Sequence, residues 1–129
     1  MWARAAHTAD RAVRRVEMVV DGTPPGPARA ALEEFLPRVD LIARAVRAQC
    51  LRAQEVAPSA GDLLVPGGPD GEHPEVHRRL TRTATACAQV AEASAMVRVA
   101  GADGGPVDPA LLAAVERAVV KAETLADPR

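Results

Sequence analysis

From Trp2 to Val20, apolar side chains recur at alternating intervals of four and three residues: Trp2, Ala6, Ala9, Val13, Val16 and Val20. A half-buried strand would alternate every second residue, so this spacing marks one face of an α-helix. Much the same spacing returns three times. It runs through Ala28, Leu32, Phe35, Val39, Ile42, Val46, Cys50 and Ala53, then through Val76, Leu80, Thr83, Cys87, Val90, Ser94 and Val97. It returns last through Leu111, Val115, Ala118, Ala122 and Leu125. The pattern predicts helices over about 2–21, 27–57, 74–100 and 108–126, and no strand. Four amphipathic helices in 129 residues point to one domain, 1–129, folded as an all-α antiparallel up-down four-helix bundle.

The punctuation agrees with these limits. Gly22, Pro24, Pro25 and Gly26 stop the first helix, and Pro27 suits the first turn of the second, where its missing N–H costs nothing. Asp108 followed by Pro109 is a strong start for the last helix. Pro37 falls inside the second pattern. Its ring opposes the carbonyl of Glu33, and because the stripe keeps its phase across the proline, a kink within one helix is expected. Between the second and third helices, residues 58–72 form a long Pro- and Gly-rich connection that carries one apolar cluster, Leu63-Leu64-Val65. The second and third helices exceed the others in length. An overhang bearing an apolar stripe calls for a partner, and a homodimer, or a complex with another protein, is expected.

The apolar residues are mostly Ala and Val, with one Trp, one Phe and no Tyr. Helices lined this way approach closely, leave little volume for a ligand and offer few aromatic faces for a base or flavin. Lys121 is the only lysine, Ile42 the only isoleucine, and Asn is absent, a skew expected of a GC-rich bacterial genome. Net charge is −1, without the strong positive field of a nucleic-acid binder. No apolar run approaches a membrane span, and the N-terminus lacks the apolar stretch of a signal peptide, so the cytoplasm is the expected compartment. Cys50 and Cys87 sit within apolar stripes and read as buried thiols rather than as a disulfide.

Few residues suggest chemistry. His73 and His77 are spaced like metal ligands on a helix, with Glu72 or Glu75 nearby, yet Pro74 as the first helical residue would leave His73 at the N-cap. No Glu-x-x-His occurs, which argues against a di-iron carboxylate bundle. His7 could accept a phosphoryl group if exposed, but it lacks the lysine and glycine that phosphotransfer domains place just after their histidine, with Asp10 and Arg11 nearby instead. Thr81, Thr85, Gln89 and Ser94 are the polar residues that a small-ligand cavity along the third helix would use. Arginines cluster at Arg4, Arg11, Arg14 and Arg15, and again at Arg78, Arg79 and Arg82. Acids stand at helical pairing distance, however: Asp10 with Arg14, Glu34 with Arg38, Asp40 with Arg44, Glu75 with Arg79. Nucleophile elbows and phosphate-binding loops are absent from the sequence. What remains is a non-catalytic interaction or regulatory module needing no cofactor. Its expected contact residues are Trp2, Leu36, Leu63, Leu64 and Val65, with Phe35 assigned to the core. A small-ligand or metal-binding bundle is the second reading, a phosphotransfer bundle the third.

Overall fold

The structure, a computed structural model, describes residues 2–56 and 72–127, without the side chains of Trp2, Val56, Glu72 and His73. The described residues form helices joined by short turns, in the order α1 (Trp2–Gly22), α2 (Pro27–Glu33), α3 (Leu36–Val56), α4 (Glu72–Ala100) and α5 (Pro109–Ala126), and no strand occurs among them. The expected loop between the second and third helical segments, with Leu63, Leu64 and Val65, lies outside the described residues.

The expected kink is a break. The helix that starts at Pro27 ends at Glu33, and a new one begins at Leu36. Pro37 has no N–H to return to the Glu33 carbonyl, so the chain tightens instead: the Phe35 N–H donates to Leu32 O at 3.1 Å, one residue short of α-helical reach. Glu34 keeps right-handed angles (φ −64°, ψ −25°), and the turn preserves the phase of the stripe. Leu32 and Val39, seven residues apart across it, are both buried. A second difference concerns α4, which begins two residues earlier than expected. Pro74 is therefore its third residue, still within the turn whose N–H groups have no helical acceptor. The last helix starts as the sequence indicates: the Asp108 carboxylate accepts a hydrogen bond from the Ala110 N–H at 2.9 Å.

Helix directions follow from the side chains that meet. Asp10, early in α1, pairs with Arg47, late in α3, at 2.7 Å. Arg79, early in α4, donates to the carbonyl of Leu125 at the end of α5. Gly22, ending α1, lies beneath the guanidinium of Arg98, ending α4. The chain therefore alternates up and down, while α1 and α4 run parallel. Those two pack extensively; α4 also packs along α5 and against α2 and α3, whereas α1 and α5 have almost no direct contact. Hence α4 is buried on several sides: Leu80, Thr83, Ala84, Ala86, Cys87, Val90, Ala91, Ser94 and Val97 are all inaccessible. Small side chains permit this close approach. At the top of α4, a Cβ placed on Gly101 would stand 2.5 Å from the Cβ of Ala28 on α2. Buried Thr83 and Ser94 satisfy their hydroxyls on the carbonyls of Arg79 and Val90, both at 2.8 Å.

Two clusters tie α5 down. Arg38 of α3 donates to Glu116 at 2.8 Å and to both carboxylate oxygens of Glu123 at 2.7 and 3.1 Å. Those two acids lie two helical turns apart on α5. Arg38 also lies over the Phe35 ring, 5.9 Å from its centroid. The carbonyls ending α5 are met by Arg79 of α4 at Leu125 and by the Gln49 amide of α3 at Ala126. A cation there also complements the helix dipole.

Candidate interaction surface

The core absorbs most of the chemistry-bearing residues. Cys50 and Cys87 are buried free thiols, and burial pushes both above the ordinary thiol range, Cys87 to about 11. Ser94 faces inward, while Thr81, Thr85 and Gln89 are exposed on another side of α4. The Thr85 hydroxyl donates to its own helix at Thr81 O. These four polar groups do not converge. The earlier start of α4 puts the backbone of His73 inside the first turn rather than at the N-cap, one turn before His77, which is partly buried. The His73 side chain is outside the described residues, and no group of three or more candidate metal ligands occurs among them. His7 is exposed on α1. Leu36 and Phe35 are both half-buried and pack against the core, and the Trp2 side chain is not described.

Ion pairing differs from the local expectation for three of the four pairs. Asp40 and Arg44 do pair, at 2.9 Å. Asp10 instead takes Arg47, Arg38 takes Glu116 and Glu123, and Glu75 takes Arg78 at 2.7 Å. Arg47 and Arg38 reach acids on neighbouring helices, whereas Glu75 takes the arginine three residues on rather than four. The Arg38 guanidinium holds the Glu123 carboxyl below the usual carboxylate range.

What remains is the outer seam between α1 and α4. Thr8, Arg11, Ala12 and Arg15 of α1, with Ala88 and Ala91 of α4, line a hollow of about 350 Å³. Further along the same pair, Gly22 and Pro24 with Ala95, Arg98, Val99 and Ala102 line another of about 440 Å³. Met18 lies three residues beyond Arg15 and four before Gly22, on the helix face between the two hollows. It is 71% exposed, and Val99 is 74% exposed. Seam residues Thr8 to Gly22 cover about 21 Å of α1, at about 1.5 Å per residue. The floor is small and apolar; the flanks carry large exposed apolar groups and cations. Arg11, Arg15 and Arg98 have no hydrogen bond or ion pair among the described residues.

Charge on α1 is segregated about this seam. Asp10 and Asp21 turn to the other side, toward Arg47 of α3 and Arg29 of α2. Of the arginines singled out in sequence, Arg11 and Arg15 line the groove, Arg4, Arg14 and Arg82 are exposed, and Arg78 and Arg79 are engaged elsewhere. Met18 and Val99 were missed by a reading confined to the stripes. The available signal was a large apolar residue off the stripe, set between an arginine and a helix-ending glycine. No helix among the described residues is long and apolar enough to cross a membrane. Comparison with protein-family models, curated proteins and solved structures finds no match.

Proposed function

We infer that the chain is a helical protein–protein interaction module without catalytic chemistry, and that the α1–α4 seam is its working face. The observation that supports this reading is the coincidence, on one seam, of two exposed apolar side chains, Met18 and Val99, with arginines that have no partner among the described residues. Exposed apolar groups occur singly on any protein, but a line of them over a shallow groove of small residues is what an interface core requires. The buried thiols and scattered polar residues offer no comparable focus, and the other large exposed apolar groups, Leu41 and Leu51 of α3, Met96 of α4 and Val120 of α5, line neither hollow.

Photo-crosslinking tests the reading in the cells from which the chain comes. A benzophenone side chain replaces Met18 or Val99 in the full chain, with Lys121, exposed on α5, as the control. Discrete adducts to the same partner segment from positions 18 and 99, and not from 121, are expected. Equal labelling from all three positions, or none from any, refutes the module.

A further inference from the structure

We propose that the α1–α4 seam receives one amphipathic helix of a partner protein, and that this helix is acidic along the flank that meets α1. The proposal rests on the interaction reading and specifies its partner. The shape of the site comes from the small residues: Ala12, Ala88, Ala91 and Ala95 let a third rod settle between two parallel ones, at a separation that larger side chains would forbid. Length follows from the seam, whose span of about 21 Å corresponds to about 14 helical residues. Apolar anchoring falls to Val99, which lines the second hollow, and to Met18, one helical turn from both Arg15 and Gly22 on α1.

Charge selects the occupant. Arg11 and Arg15 line the groove, Arg98 folds over Gly22 at its far end, and none of the three is neutralised within the described residues. Of the three acids of α1, Asp10 and Asp21 are turned toward α3 and α2, and exposed Glu17 pairs with none of these arginines among the described residues. On the α4 side, Glu92 follows Ala91 as an exposed acid. A second copy docked through the same seam would bring another set of three arginines against one acid per copy, a like-charge juxtaposition that disfavours self-pairing. A helix carrying Glu or Asp beside its apolar stripe meets the arginines with complementary charge, and Arg presents a fork suited to carboxylates. Such pairing accelerates encounter and weakens with added salt.

The test uses the full chain and two designed peptides of 18 residues that share one leucine stripe. One carries glutamates on the flank and the other lysines in their place. Fluorescence anisotropy is expected to show the glutamate peptide binding at least about tenfold tighter than the lysine peptide, with the difference shrinking as salt rises. Arg11→Glu with Arg15→Glu is expected to reverse the preference. Both residues are exposed, so the fold is retained, and a gain of lysine-peptide binding cannot come from an unfolded chain. Methyl-labelled methionine supplies the position: the Met18 signal moves on titration with the glutamate peptide and not with the lysine peptide. Equal binding of the two peptides, indifference to the double reversal, or an unmoved Met18 signal overturns the proposal. So does a concentration-dependent dimer that protects Met18. If photo-crosslinking from positions 18 and 99 nonetheless succeeds and the partner segment is basic or non-helical, the module stands and the acidic helix does not.

Discussion

Replacing Gly101 by alanine is the sharpest test of how closely the helices meet. Gly101 is buried and lacks the left-handed backbone that would itself demand glycine; among the described residues only Gly26 and Gly104 have positive φ. Its N–H donates to Val97 O at 2.9 Å, continuing the helix, so alanine is conformationally acceptable. By backbone entropy alone the change stabilises by about 0.4–1 kcal/mol. The new methyl, however, stands 2.5 Å from the Cβ of Ala28, with ordinary carbon contacts near 3.5–4.0 Å, and 3.2 Å from Val97 O. Ala28 is 2% exposed and has no side-chain torsion with which to withdraw, so α2 must move by about 1 Å. Overpacking of this kind costs about 1–3 kcal/mol. The net expectation is a loss of about 1–2 kcal/mol, which lowers the melting temperature by about 3–10 °C at this chain length.

The partner change Ala28→Gly opens the space but gives up a buried methyl and helix propensity, together about 1.5–2 kcal/mol. The double variant then exchanges one methyl for another across the contact, and it should be more stable than the sum of the single changes by about 1–3 kcal/mol. Urea titrations of the four proteins measure the cycle, with an unchanged denaturant slope confirming that the same state unfolds. A Gly101→Ala protein as stable as the parent, or a coupling below about 0.5 kcal/mol, refutes the close approach of α2 and α4.

Four further outcomes follow. Arg38 is about one-third exposed, so removing it as Arg38→Met is expected to cost only about 1 kcal/mol in urea denaturation, despite three short hydrogen bonds. Because Arg38 lowers the Glu123 pKa in the folded chain, that carboxylate's contribution is complete above the unfolded value near 4.3 and fades as pH falls through the lower folded value. Denaturation midpoints between pH 5 and 3 should therefore fall less steeply for Glu123→Gln. Ellman's reagent at neutral pH should find Cys50 and Cys87 unreactive in the native chain and both reactive in denaturant; fast native labelling of Cys87 contradicts its burial and its pKa of about 11. Asp108→Ala should lose about 1 kcal/mol of stability by removing the cap on α5, with Asp108→Asn nearly neutral in the same melt.

The parts of this fold that are legible in sequence are those governed by local rules. Val39, Ile42, Val46, Cys50 and Ala53 follow the helical spacing and are all buried, and Asp108-Pro109 starts a helix where such a pair should. The break before Leu36 was masked by the same regularity, since a tight turn can keep a stripe in phase while severing the helix. The width of burial was hidden too. Ala5, Ala12 and Val19 of α1 fall off the expected seam yet are inaccessible, because α4 lies against a second side of that helix. With alanine and valine on both sides, composition does not distinguish one buried face from two. The same ambiguity shifts α5, where Val119 and Ala126 are deeply buried while Leu111 and Leu125 remain partly accessible. Half of the candidate surface, the arginines of α1, was visible as a cluster. Its opposite wall depends on the parallel placement of two helices distant in sequence, and no local signal specifies that.

That α4 separates α1 from α5 bears on how the molecule tolerates change. The two outer rods share no wall, so substitutions on one should combine additively with those on the other. The central rod has no such latitude: a methyl group added to its inner positions presses on neighbours in several directions at once. Evolutionary drift in chains of this architecture should therefore be slowest along the inner faces of α4 and fastest on the outer flanks of the two rods it holds apart.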